Sequence, residues 1–83
     1  MKFLAEIDIM PHKEILDPQG KAISNNLKRV DVYGIEDVRI GKHVKLWVEA
    51  ASEHEAKELV EAACRKMLVN HIMEGYTYTL VAN

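Results

Sequence analysis

Along residues 2–10 apolar and polar side chains alternate: Phe3, Ala5, Ile7 and Ile9 share one parity, Lys2, Glu6 and Asp8 the other. A period of two marks a strand with one buried face. Pro11, which has no N–H to give a ladder, is expected to end it. The period then changes. Ile23, Leu27 and Val30 recur at i, i+4 and i+7, as on one side of a helix. Asp17 offers an N-cap oxygen, Pro18 suits the first helical position, and the run "DVYG" closes the element. Gly20 in the first turn costs about 0.5–1 kcal/mol relative to Ala. A turn kept bare for another backbone to come close would explain it.

From Glu36 to Ala50 the even positions are mostly apolar: Val38, Ile40, Val44, Leu46, Val48 and Ala50. Gly41-Lys42 invites a two-residue hairpin, but that turn would pair residue 40 with 43 and put Ile40 opposite Val44, Leu46 and Val48. The pattern therefore predicts a three-residue turn or one long strand, bent or bulged at Gly41. Such a strand would span on the order of 50 Å, too long for a compact small domain unless its ends pair in different subunits. The second helix opens on the capping box Ser52-Glu53-His54-Glu55. Ala56, Leu59, Val60, Ala63, Met67 and Leu68 form its apolar stripe, and Asn70 is expected to end it in a left-handed cap. "GYTYTLVA" reads as a final strand.

The order β-α-β(β)-α-β predicts an α+β fold related to the ferredoxin-like type, with a long or bent central strand and strands shared between subunits. Both helices are expected on one sheet face. The other would carry Leu4, Met10, Trp47 and a tyrosine pair, with few charges and a second chain covering part of it.

Composition sharpens this picture. Residues 1–83 form one domain, small enough to bury only roughly 60 % of its unfolded surface. A single cysteine, Cys64, excludes an internal disulfide framework, which leaves oligomerisation or docking as the usual substitute. The net charge of −2 is dispersed, and no basic run forms a phosphate-binding stripe, so nucleic acid is not expected. No 18-residue apolar stretch predicts a membrane span. Glu6 and Asp8 interrupt "MKFLAEIDIMP" as a signal peptide. The reading is a cytosolic, hence cytoplasmic, protein.

Candidate chemistry is sparse. His12, His43, His54 and His71 fall one per segment without metal-ligand spacing, so they read as surface histidines and no metal is expected. Cys64 reads as a packed small hydrophobe, because no base can be placed beside it as a nucleophile's partner. Glu6/Asp8 reads as a solvated sheet face, and neither it nor Glu36/Asp37 shows the pocket that acid–base work needs. In "RIGK", Arg39 and Lys42 flank Gly41; the pair reads either as donors for an anion or partner carboxylate, or as solvated side chains at a strand bend.

Three runs, "MPHKEILDPQGKAISNNLKR", "IEDVRIGK" and "LVNHIMEGY", resemble the PurS family in order and spacing over nearly the whole chain. "LDPQG" and the VR-x-GK run are its most specific pieces. The resemblance implies the small, non-catalytic subunit of phosphoribosylformylglycinamidine synthase, a multi-subunit ligase of purine biosynthesis. It further implies two partners, a large synthetase subunit and a glutaminase subunit, which this chain joins while supporting ammonia transfer. ATP, Mg and glutamine would be used by those partners, with no cofactor in this chain. The family forms dimers or higher assemblies that share strands. Asp17, Pro18, Gln19 and Gly20, with Arg39, Gly41 and Lys42, become candidates for assembly or partner contact. Leu4, Met10 and Trp47 are candidates for a homo-oligomer interface, dimer or tetramer.

Three positions depart from the family pattern. Asp31 stands where a glycine usually closes the first helix, so a different helix end is expected. His71 and Gly75 replace the proline and aspartate of the usual tail motif, which would loosen the link into the last strand. Two rival readings differ in class. One is a ferredoxin-like regulatory module sensing a small molecule such as an amino acid, with "DPQG" as its ligand loop. The other is an independent small enzyme using Cys64 or a histidine.

Overall fold

The computed structural model describes residues 1–13 and 17–83; Ile15 and Leu16 of the "ILDPQG" run lie outside the described residues. Strand β1 (Lys2–Pro11) is central in a three-stranded antiparallel sheet of order β2-β1-β3, with β2 at Lys42–Glu49 and β3 at Glu74–Ala82. Helix α1 (Pro18–Leu27) follows β1 and helix α2 (Glu53–Ala63) follows β2, giving β-α-β-α-β. The alternation read from β1 holds: Phe3, Ala5, Ile7 and Ile9 are buried. They pack against Ala56, Val60 and Cys64 of the α2 segment. Each fully buried aliphatic side chain of this kind contributes about 1.5–3 kcal/mol.

Ser52 caps α2, its Oγ accepting from the Glu55 amide at 3.2 Å. The apolar stripe differs from the predicted one. Leu59 and Met67 are exposed, while Ala56, Val60 and Cys64 make the contact. Small residues let the helix sit close to the sheet. Beyond Ala63 the chain continues as a π-turn over Cys64–Leu68, and its wider winding rotates Met67 to solvent. Cys64 is buried as a small hydrophobe, and burial pushes its thiol above the usual range. Asn70 is not a left-handed cap. Val69 ends the turn in an extended conformation, and the Asn70 carbonyl instead accepts from the Met73 and Glu74 amides to shape the link into β3.

The long central strand is not formed. β2 begins at Lys42, and residues 32–41 carry no regular structure, so Gly41 precedes the strand instead of bending it, and no hairpin occurs there. The reason is local: Asp17 and Arg39 tie residues 39–40 to the end of β1 and the start of α1.

The two helices do not share the sheet. Gly20 is the only buried residue of α1, and Ile23 and Val30 of its stripe are exposed. The radius of gyration is 16.5 Å, and the molecule extends 52 × 26 × 14 Å. A compact chain of this length would have a radius near about 12 Å. The stripe is helical as expected, but the described residues leave its Ile23 and Val30 uncovered, with Leu27 half-buried.

Asp31 ends that helix in the geometry usual for glycine. It adopts φ 62°, ψ 33°, the Val32 amide donates to the Leu27 carbonyl at 2.9 Å, and the Asp31 amide to that of Lys28 at 3.3 Å. This is a Schellman closure with a non-glycine residue in the left-handed position, so the expected change of helix end does not occur. Asp31→Gly should therefore stabilise the protein by about 0.5–1 kcal/mol, read as a higher midpoint in chemical unfolding; an unchanged or lower midpoint would show that the left-handed residue carries no strain.

Candidate functional site

The "LDPQG" and "VR-x-GK" runs, with 17 residues between them in sequence, meet at one place. Asp17 joins them. Its Oδ1 accepts from the Gly20 amide at 3.0 Å, capping α1, and its Oδ2 accepts from the Ile40 amide at 2.6 Å. The Ile40 bond, then the Gly20 bond, hold the Asp17 carboxyl below the usual carboxylate range, with the Arg39 charge adding in the same direction.

Gly20 is the answer to why that turn is bare. A Cβ there would lie 2.0 Å from the Val38 carbonyl oxygen and 2.8 Å from Asp17 Oδ2. The backbone that comes close is this chain's own. Gly41 is constrained likewise, since a Cβ would lie 2.2 Å from Met10 Sδ and 2.3 Å from the Ile9 carbonyl oxygen. Arg39 donates from its guanidinium to the carbonyls of His12 and Lys13, and its Nε lies 3.7 Å from Asp37 Oδ2. Of the first group of candidates, Asp17, Gly20, Arg39 and Gly41 thus tie backbone segments together. Pro18, Gln19 and Lys42 remain exposed.

Those exposed residues border a shallow cleft of about 390 Å³, whose other walls include Ile40, Asn70 and Glu74. Lys42 Nζ lies 3.6 Å from Glu74 Oε2, and Glu74 Oε1 accepts from the Asn70 amide at 3.0 Å. All three sequence runs that carry the family resemblance therefore contribute to one surface. Glu74 and Asn70 were not among the predicted site residues; their place in the third run was the only available signal. His71 and Gly75, the two tail departures, border this region. His12 Nε2 lies 3.3 Å from the His71 carbonyl oxygen, and Gly75 faces the His12 ring, so the link into β3 is held.

The second group of candidates sits on the sheet face opposite α2. Leu4 pairs with Trp47 on one side and Val81 on the other, and Met10 pairs with Gly75. The face is richer in charge than expected. Glu6 pairs with Lys45 and Asp8 with His43. His43 Nδ1 is 2.6 Å from Asp8 Oδ1 and its Nε2 3.4 Å from Glu6 Oε1. The Asp8 hydrogen bond raises the His43 pKa. The tyrosine pair is on the other face: Tyr76 and Tyr78 pair with Ile9 and Ile7 on the buried parity. Both hydroxyls donate to Glu61 of α2, at 2.5 and 3.1 Å. Tyr76 is pushed up to about 12, chiefly by that bond. Among the described residues, no group of three or more His, Cys, Asp and Glu is placed to hold a metal ion, and no helix is long and apolar enough to cross a membrane.

These features define a small α+β module of ferredoxin-like type whose motif residues bind its own segments into one clasp. The chain belongs to the PurS family: the family model for PurS, phosphoribosylformylglycinamidine (FGAM) synthase, matches residues 4–82. It is 38% identical over 66 residues to the phosphoribosylformylglycinamidine synthase subunit PurS of Bacillus subtilis, covering 80% of this chain and 77% of that one. It is 34% identical over 74 residues to the Thermotoga maritima subunit of the same name, covering 89% and 90%. Among solved structures, it resembles a chain of PurLQS from Thermotoga maritima with TM-score 0.89 and 31% identity, over 98% of this chain and 99% of that one. B. subtilis PurS superposes with TM-score 0.88 at 31% identity, over 96% and 99%.

Two outcomes follow from the clasp. Gly20→Ala should cost about 1–3 kcal/mol, because the Val38 carbonyl has to move; a melting temperature equal to that of the parent would show that the approach is not tight in solution. The lowered Asp17 value makes its contribution complete above the ordinary carboxylate range and lost as pH falls through the folded-state value. Thermal melts taken downward from about pH 5 should fall more steeply for the parent than for Asp17→Asn, and parallel curves would remove Asp17 from the acid response.

Proposed function

We propose that this chain is the small, non-catalytic subunit of a phosphoribosylformylglycinamidine synthase of purine biosynthesis, joining a large synthetase subunit to a glutaminase subunit and supporting ammonia transfer between them. The observation that carries the reading is the match along essentially the entire chain, in sequence and in fold, to PurS subunits, including one within a PurLQS structure. ATP, Mg and glutamine are used by the two partner subunits. The cytoplasm is the compartment that fits this role.

The clasp supports a division of labour among the motif residues. Asp17, Gly20, Arg39 and Gly41 fix the shape of the cleft, and Pro18, Gln19 and Lys42 on its rim are the groups a partner subunit touches. Self-association has separate support. Among the described residues, Ile23 and Val30 of the α1 stripe are exposed, and residues 32–41, which lead into the edge strand β2, join no strand of the sheet. A second copy that shares strands with the first would use both. An 83-residue chain with this extended shape needs such added core.

Glutamine-dependent and ammonia-dependent product formation by the synthetase and glutaminase subunits, each measured with and without this chain, test the role. Glutamine-driven turnover is expected to require the chain while ammonia-driven turnover does not. If neither reaction responds, the coupling role is wrong.

A further inference from the structure

His43 is the second residue of β2, and it follows directly on the run whose Arg39 and Gly41 help close the clasp. It stands opposite Asp8 in the β1–β2 register, and Lys45 stands opposite Glu6. The imidazole is set between the two acids: Nδ1 lies 2.6 Å from Asp8 Oδ1, and Nε2 lies 3.4 Å from Glu6 Oε1. Lys45 Nζ, at 3.9 Å, shares that Glu6 oxygen. On the other side of β1, Thr79 pairs with Glu6 and Thr77 with Asp8, which brings hydroxyls and no charge. Lys42, the remaining cation next to His43 on β2, is engaged on the opposite parity with Glu74, at 3.6 Å.

This placement makes the charge of the ring matter. A neutral imidazole has one N–H and one lone pair. With a carboxylate at each nitrogen, it can donate to one acid only and turns its lone pair on the other. The imidazolium presents an N–H to both. When the ring is protonated, Glu6 and Asp8 are balanced by Lys45 and His43. When it is neutral, Lys45 alone faces two acids. The change falls one pair from the end of the β1–β2 ladder, which closes on Ile9 and Lys42. Strand ends are where local opening costs least.

We propose that His43 is a proton-operated lock on the clasp end of β2: the imidazolium bridges Glu6 and Asp8 and holds the start of β2 on β1, and the neutral ring lets that end of the ladder open. Lys42, on the rim of the cleft, is held or loosened with it. The sign follows from the partners. The Asp8 hydrogen bond first, and Glu6 after it, raise the ring above its ordinary 6.5 against the opposing effect of burial. A raised value means that the lock is complete below the ordinary pKa and is lost as pH rises through the folded-state one.

NMR titration of the imidazole signals, with that of His43 assigned by its absence from His43→Gln, measures the midpoint. It is expected above 6.5 in the parent and lower in Asp8→Asn. Hydrogen exchange, corrected for its intrinsic pH dependence, reads the lock itself. As pH rises through the midpoint, the ladder-bonded amides of residues 42–44 should lose protection several-fold, while those of residues 46–48 keep theirs. His43→Gln should show the low protection at every pH. His43→Lys, cationic throughout, should keep residues 42–44 protected beyond the parent's midpoint. Circular dichroism verifies that each variant is folded, and the parent's own midpoint and exchange decide the matter where one is not. A parent midpoint at or below 6.5 would overturn the proposal. So would protection of residues 42–44 that is unchanged through the midpoint, or that falls equally in His43→Lys. All of this is read on the chain alone, so failure of the coupling role leaves it intact.

Discussion

One carboxylate holds the two halves of the clasp together. Asp17 uses one oxygen on the first turn of α1 and the other on the Ile40 amide, just ahead of β2. Without the second bond, residues 38–41 would have no reason to approach the helix, since they join no strand of their own sheet. Gly20 and Gly41 are consequences of that bond: each removes a side chain where the captured segment passes. The capture also sets the direction in which α1 leaves the sheet, and so exposes its stripe.

What the sequence made legible follows the range of the interactions involved. The parity of β1 and the Asp17 and Ser52 caps depend on neighbours a few residues apart, and all appear in the structure; the burial of Cys64, read from residue type, also holds, although β1 supplies much of its cover. The close approach suspected at Gly20 was legible as a local cost without a local benefit. Its partner, Val38, was not, because nothing in a periodic pattern says which backbone comes near. The apolar evens of residues 36–50 were misleading in part. They continue in phase across Gly41, yet pairing needs a free edge, and within one chain that edge is absent for residues 36–41. Met67 and the tyrosine pair went astray for geometric reasons: a π-turn shifts helical phase, and β3 register is fixed only by its pairing with β1.

The candidate site was legible in its membership more than in its roles. Seven motif residues were picked out, and they do converge, but four of them spend their hydrogen bonds or their missing side chains on this chain's own backbone. A motif can therefore mark a shape held internally as readily as a surface offered outward. The open sheet face shows the converse. Leu4 and Trp47 were identified as apolar, while the pairing of Glu6 with Lys45 and Asp8 with His43 required a register that no single strand reveals.

The uncovered helix has a consequence for how this protein should be handled. A ten-residue helix is marginal by itself in water, and among the described residues the buried part of this one is its first turn, at Gly20. If its cover comes from another copy, part of the folding free energy is bimolecular, and local order depends on concentration as much as on temperature. Dilution would then fray α1 from its Leu27 end while the sheet and α2 stay intact. The chain would be a protein whose secondary structure is a function of its abundance in the cell.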